Sequence, residues 1–315
     1  MIQKEIYVCT YGCEGYERGI VKLTFNLQTK ELTKKFVLPL DGKCNMVTKA
    51  GNRLYLCIKR IEGSFIEVFD AETYECISST PSDYFYSYGQ IVGDKFLLAS
   101  YESGVDSVFD LNDQCFTAHC VHHREGFEGH GKSHYIQCLK DGQIVGIENG
   151  FQQIYLYENM NLDVKKVIDY PPINIRLLTT DGYSSVAYLN TEISNEMISL
   201  STKDWSEICR RKMADQEGWY SGGNAISPDG EIVCASVRGQ DRIHVFYANG
   251  GLLFPAGSFG CGRIPRDLKF VLDYLFISCT GDNKIEVIDF TDMKFRKCAE
   301  IEVAQPITFE MESRL

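Results

Sequence analysis

Eight residues of this 315-residue chain carry groups able to hold an anion or exchange a proton, and they recur at two kinds of position. Four open short apolar runs: Lys132 and His134 in GKSHYIQ, Arg176 in NIRLLTT and Arg266 in IPRDLKF. Four others close such runs: Tyr101 in LASYESG, Glu148 in GIENG, Glu192 in YLNTE and Arg238 in ASVRGQD. Imidazole and carboxylate groups beside guanidinium and ammonium groups suit proton transfer next to a bound anion. Taken singly, each reads more simply as a solvated rim residue or half of a surface ion pair. His134 alone reads as a structural histidine. Their recurrence favours a shared pocket, because polar groups turned into a funnel cost free energy unless they pair or meet a ligand.

The elements that must position these residues repeat along the chain. Seven β-type runs end at Phe25, Phe69, Phe109, Tyr157, Leu200, Phe246 and Ile288, at intervals of 40 to 48 residues. That period is the length of a four-stranded propeller blade. Runs such as QIVGIE, EIVCASV and RLYLCI precede them, introduced by Asp141-Gly142, Asp229-Gly230 and Gly51-Asn52. These are hairpin signals, since Gly and Asn tolerate the positive φ of tight turns. No stretch keeps a 3.6-residue apolar period between two caps, so no long helix is expected. The first apolar run, Ile6 to Cys9, lacks a strand before it, and the last, Pro306 to Phe309, lacks a hairpin after it. The expectation is an all-β, seven-bladed β-propeller forming a single domain over residues 1–315, its ring closed by the C-terminal strand completing the first blade. In an antiparallel blade the start of the innermost strand lies beside the end of the second, so the eight residues fall on one face near the central channel.

Composition narrows the possible functions. Tyr and Phe number 18 each, as strand packing favours, and no Pro/Gly/Ser-rich linker divides the chain. The first residues lack the continuous apolar region of a signal peptide, and no run approaches the roughly 18 apolar residues of a membrane helix. The thirteen cysteines are scattered without a CxxC pair, which points to reduced thiols in a reducing compartment. A cytoplasmic protein with no membrane partner is therefore expected, as a monomer or simple homo-oligomer. The net charge of −11 and the absence of long basic runs argue against nucleic acid, which is held by clustered Lys and Arg.

Five of the six histidines lie at His119, His122, His123, His130 and His134. Adjacent His122 and His123 point to opposite faces of an extended strand, and no Cys or carboxylate stands at a recognised zinc spacing. No metal site and no cofactor are expected. Neither a GxSxG elbow nor a Walker loop is present.

The strings VCTYG, ASYESG with VFD, SPDGEIVCASVRGQDRIHVF and PRDLKF are similar to those of the seven-bladed lactonase propellers. That group contains one type of 6-phosphogluconolactonase and the carboxymuconate-lactonizing enzymes, and the resemblance runs nearly end to end. It implies a hydrolase that opens the ester ring of a small anionic sugar lactone such as 6-phosphogluconolactone. Residue by residue, the family's histidine-bearing strand start matches His134, with Lys132 in place of an earlier histidine. Its Arg and Glu sixteen residues apart match Arg176 and Glu192, although a rival alignment through an Asp-Gly turn puts Asn174 at the arginine position. Arg238 and Arg266 match two further arginines. The resemblance implies His134 or Glu192 as base, Arg176 and Arg238 for developing charge, and Lys132 and Arg266 for the substrate anion; Tyr101 and Glu148 join the substrate-binding set by their position at second-strand ends alone. The sequence departs from the family where Gly223, Asn224 and Ala225 replace a segment bearing Glu or His, where Val237 replaces an Asn, and at Cys44-Asn45-Met46. A muconate-type cycloisomerase and a propeller that only binds a ligand or partner stay open as alternatives.

Overall fold

The computed structural model describes residues 2–12, 18–171, 173–180 and 185–311. Its strands form seven four-stranded sheets, the seven blades, each a meander from a first to a fourth strand. Blades two to seven are consecutive in the chain and begin with Lys43–Ala50, Tyr88–Val92, Ser133–Cys138, Ile175–Thr180, Ser221–Ile226 and Pro265–Val271. Blade one is composite: strand Pro306–Met311 lies beside Gln3–Thr10, which is followed by Gly19–Asn26 and Leu32–Pro39. The pairing expected between the C-terminal run and the strand around Tyr7 is thus present. The only helical element among the described residues is the short 3-10 turn Thr280–Asp282.

The repeated run is the third strand of each blade, and the polar residue after it has a physical task. Asn26 Oδ1 accepts the amides of Gln28 and Thr29 at 2.9 and 3.1 Å. Asp70 Oδ1 does the same for Glu72 and Thr73, and Asp110 Oδ1 for Asn112 and Asp113. Each carboxyl or amide oxygen mimics a backbone turn and ends the strand. Four residues after each of these polar groups the chain takes a left-handed residue, Lys30, Tyr74 or Gln114, and the fourth strand begins. Fourth strands carry little apolar signal. Cys115–Val121 alternates exposed and half-buried residues along its length.

By compactness the chain divides into two units, Met1–Pro39 with Leu177–Phe309 and Leu40–Arg176 with Glu310–Leu315. In the first, Ile243 and Val245 of blade six pack with Leu275, Ile277 and Phe270 of blade seven. A second cluster joins Tyr188 and Met197 of blade five to Val233 and Phe246 of blade six. In the second unit, Tyr55, Phe96 and Phe109 pack together, the first two edge to face at 5.8 Å. Burial of each such side chain is worth about 1.5–3 kcal/mol. The alternate faces of the middle strands therefore seal blade to blade, while first-strand starts and second-strand ends stay available for polar residues.

Candidate active site

The first strands of blades two, four, six and seven each lose register with their neighbour near their start. The shift falls between Ser133 and Tyr135 in blade four and between Pro265 and Leu268 in blade seven. His134 and Arg266, two of the residues singled out by sequence, therefore sit in β-bulges, which re-aim side chains. In blade six the shift spans Gly222 and Gly223, and in blade two it spans Asn45 and Met46.

In the first unit, Glu192 and Arg238 form an ion pair through Glu192 Oε1 and Arg238 Nη2, their side chains 18% and 22% exposed. The backbone fixes both partners. Ser221 N–H donates to the Glu192 carbonyl at 3.0 Å, and Arg238 N–H donates to the Tyr220 carbonyl at 2.8 Å. The Arg238 guanidinium also stands 5.9 Å from the centre of the Tyr220 ring, a cation–π contact. Arg266 lies 5.5 Å from the centre of the Tyr11 ring. Beside Arg266, burial pushes the Asp267 carboxyl up, while its Oδ2 accepts the Phe309 amide of the C-terminal strand at 2.9 Å.

Gly222 explains the departure in blade six. A Cβ there would stand 2.4 Å from the Pro265 carbonyl oxygen, 2.6 Å from Ser236 Oγ and 3.2 Å from Arg238 Cγ. Glycine lets blades six and seven close at this point, so Arg238 and the residue preceding Arg266 border the same small floor. Ser236 Oγ donates to the Pro265 carbonyl at 2.8 Å, and Asn190 Nδ2 donates to the Gly222 carbonyl at 2.9 Å, which locks the floor. Gly222 thus brings the backbone just before Arg266 against the strand end that carries Arg238, with Tyr220 beside Arg238 and Tyr11 beside Arg266.

The second unit holds the remaining sequence-derived residues. Tyr101 meets the His134 ring edge to face at 5.3 Å, and Lys132 Nζ lies 5.7 Å above the Tyr101 ring. Lys132 is exposed and His134 half-buried. Glu148 is wholly buried, and its carboxylate accepts the amides of Lys132, Gly150 and Phe151, the last two at 2.9 and 2.8 Å. It shapes the Lys132 backbone and the turn after its strand, and its surroundings leave it no contact with solvent. Arg176 is 8% exposed, following Ile175, whose carbonyl takes Asn149 Nδ2 at 2.8 Å. The rival Asn174 has a positive φ of 54° and lies 3.4 Å from Gln152 Nε2.

A buried polar network that sequence reasoning missed lies under this cluster. Asp106 Oδ1 accepts Ser133 Oγ, and Asp106 Oδ2 accepts the Tyr157 hydroxyl at 2.7 Å. His122 Nε2 stands 3.1 Å from Asp106 Oδ2 and 2.9 Å from the Tyr157 oxygen, with its ring stacked on Tyr155 at 4.0 Å. Burial pushes the Tyr157 hydroxyl well above its ordinary range, so it acts as a neutral donor. Ser133 is the residue between Lys132 and His134, so the network anchors the strand start that carries both. The other histidines separate as alternation predicts: His123 is exposed, and His119 Nδ1 bonds Ser107 Oγ at 2.8 Å. Among the described residues no three His, Cys, Asp or Glu side chains are grouped to hold a metal ion.

A family described as "Lactonase, 7-bladed beta-propeller" matches residues 5–311. No curated protein sequence matches the chain. Among solved structures, a candidate 6-phosphogluconolactonase from Bacteroides fragilis is 20% identical, with 99% of this chain and 98% of that one covered and a TM-score of 0.84. A Lactobacillus plantarum protein is 19% identical, covers 98% of both chains and reaches a TM-score of 0.87. The periplasmic gluconolactonase of Pseudomonas aeruginosa is 17% identical over 98% of both chains, with a TM-score of 0.82.

Proposed function

The chain belongs to the seven-bladed β-propeller lactonase family, and from that premise we propose that it hydrolyses the ester ring of an anionic sugar lactone, 6-phosphogluconolactone being the first substrate to test. The observation that carries the reading is the partly exposed Glu192–Arg238 pair with Arg266 across the Gly222 floor. Ester hydrolysis needs a group to take a proton from water and fixed positive charge where the carbonyl oxygen becomes an oxyanion. Glu192 takes the proton and Arg238 faces the developing charge. Water adds to the carbonyl carbon, the ring C–O bond breaks, and the departing alkoxide recovers a proton to give the open hydroxy acid. Arg266 holds the substrate, in this reading, with Tyr11 and Tyr220 as walls.

In the second unit, taken by itself, His134 is the alternative base, with Lys132, Tyr101 and Arg176 as its substrate-binding or charge-stabilising residues. The net charge of −11 does not oppose anion binding: charges beyond about 8–10 Å are largely screened, while a cation about 4 Å away contributes roughly 4 kcal/mol at an effective dielectric of 20. A cytoplasmic location is part of the proposal, supported by cysteines that form no disulfide among the described residues. The test is steady-state hydrolysis of 6-phosphogluconolactone and gluconolactone, with spontaneous opening subtracted, beside lactone formation from a muconate. A kcat/KM of about 10⁴ M⁻¹s⁻¹ or more on one sugar lactone is expected. Turnover confined to muconates would replace the hydrolase with a cycloisomerase.

A further inference from the structure

The third and fourth strands of blade six run on past the point where other blades turn. In blades one, two, three and seven the residue after the third strand's apolar run is Asn26, Asp70, Asp110 or Asp289, whose side-chain oxygen accepts the amide two residues on. That contact ends the strand. In blade six the same position holds Tyr247, whose oxygen sits at the far end of a ring and cannot cap its own turn. Pairing continues with Tyr247 opposite Phe254, Ala248 opposite Leu253 and Asn249 opposite Leu252. Gly250 and Gly251, with φ of 57° and 87°, then make the two-residue turn.

This extended hairpin has one covered face and one bare face. Leu253 is buried in the core shared by blades five and six, and a Cβ on Gly251 would lie 2.7 Å from Ile208 Cδ1 of blade five. Alternation turns Leu252 and Phe254 to the other side, with Tyr247 across from Phe254. Leu252, Phe254 and Tyr247 are 46%, 48% and 45% exposed. Apolar residues exposed singly need no explanation, but three that adjoin on one face mark an interaction surface. The backbone edge of the hairpin is less available. Arg211 Nε donates to the Leu253 carbonyl at 2.9 Å, Arg242 Nη2 donates to the Ser258 carbonyl at 3.2 Å, and Pro255 has no N–H to offer. A strand added along Leu252–Gly260 would have to displace both arginines, so contact falls to the side chains.

Charge says what fits there. From Tyr247 to Gly262 the chain carries no Asp, Glu, Lys, Arg or His, although 24% of its residues are charged. Two copies at −11 each repel where their acidic surfaces approach, and on this neutral face they meet without that cost. A basic partner would be drawn to acidic surface instead. A neutral face is its own electrostatic complement, as a twofold contact between identical chains requires.

We propose that the blade-six hairpin is a homodimer contact, the Tyr247, Leu252 and Phe254 faces of two copies packing across a twofold axis. Tyr247 pairs with Ile232, at the other end of these strands from Val237 and the Arg238 that follows it. The contact therefore lies away from the Glu192–Arg238 pair, and the inference is independent of the lactonase reading.

The experiment measures the mass of the full chain by sedimentation equilibrium across protein concentration, for the parent, Phe254→Glu, the double variant Tyr247→Ser/Leu252→Ser, and Ile77→Ser. The parent is expected to move from 35.7 kDa towards twice that value between about 1 and 100 µM, the range of a small interface. Phe254→Glu sets like charges into the contact and should raise the dissociation constant about 30-fold or more, the scale of a lost aromatic anchor. The double variant should act in the same direction. Ile77, 50% exposed on the outer strand of blade two, is the control, and Ile77→Ser should leave the dimer intact. Should the hairpin variants fail to fold, hydrogen exchange of the parent decides: amides of residues 247–254 should exchange more slowly as the dimer fills, and unchanged exchange there overturns the proposal. A parent that stays at 35.7 kDa overturns it too, whatever else the hairpin binds. So does a dimer that Phe254→Glu and the double variant leave unchanged, or one that Ile77→Ser dissolves equally. Growth beyond the dimer with rising concentration overturns the closed twofold contact and points to strand addition along the edge.

Discussion

Asp106 and His122 meet with neither side chain reaching solvent, whereas Glu192 and Arg238 meet with about a fifth of each side chain exposed. The Asp106 carboxylate is satisfied from within, by Ser133 on one oxygen and Tyr157 on the other, while the buried His122 Nδ1 finds no hydrogen-bond partner among the described residues. Its surroundings are closed even to a methyl group: a Cβ at Gly146 would lie 2.3 Å from Asp106 Oδ2. Backbone contacts at Ser221 and Tyr220 and the Tyr220 ring hold the second pair, and both of its side chains remain partly exposed. Polar groups removed from water are costly unless they find partners, and a carboxylate whose oxygens are both taken by hydroxyls has none left for a substrate. An accessible pair gives up stability and stays within reach of a ligand. In this chain exposure, more than residue type, separates the carboxylate that supports from the one proposed to react.

The largest test of that contrast is Asp106→Ala. It strands the His122 imidazole and two hydroxyls in the interior, and urea unfolding should show a loss of about 3–5 kcal/mol. A loss below about 1 kcal/mol would mean that the network is not a structural anchor. Next in size is Glu192→Gln, which keeps the shape and removes the charge. Turnover on the best lactone should fall about 100-fold, some 2.7 kcal/mol of barrier, while the melting temperature moves by no more than about 2 °C. An unaffected rate would pass the role of base to His134, to be checked with His134→Gln.

A third pair sharpens the comparison at its rim. Lys30 Nζ binds Asp289 Oδ2, with 40% and 11% of the two side chains exposed. Burial raises the Asp289 carboxyl, but Lys30 and Thr291 outweigh it and hold the group at about 2. Because the folded value lies below the ordinary 3.8, the stabilisation is present above about pH 4 and is lost as pH falls towards 2. Lys30→Met should lower the melting temperature only slightly at neutral pH and flatten the acid limb of the melting curve. Melts between pH 2 and 6 measure this, and parallel curves for the two proteins would contradict it. The smallest expected effect is that of chelation: lactone hydrolysis should be unchanged by excess EDTA. Loss of rate restored by one divalent ion would return attention to the histidine-rich segment.

What could be read from the sequence follows from where each signal is stored. Third strands were legible because their Asn26, Asp70 and Asp110 carry the turn in the residue after the apolar run. The fourth strands were not, since a strand such as Cys115–Val121 is half-exposed and keeps no apolar run. His134 and Arg266 could be picked out as charged strand starts, but their bulges depend on pairing with another strand. The Asp106 network was invisible because its members lie 16 to 51 residues apart in sequence and meet only after blades three and four pack. Glu148 looked like a ligand contact in the string GIENG. Only the three amides around it reveal a carboxylate spent on backbone.

Blade one joins strand Gln3–Thr10 to a strand that begins at Pro306, roughly 300 residues later. At a synthesis rate of about 5–20 residues per second, the early strand waits on the order of 15–60 s for its partner. During that interval its hydrogen-bonding edge is open, and open edges recruit strands from other chains. The long separation also slows the final pairing, because a distant contact must close a large loop before it is rewarded. Lys4 and Glu5 place opposite charges in the waiting strand, the kind of residue that discourages pairing with a foreign edge during translation.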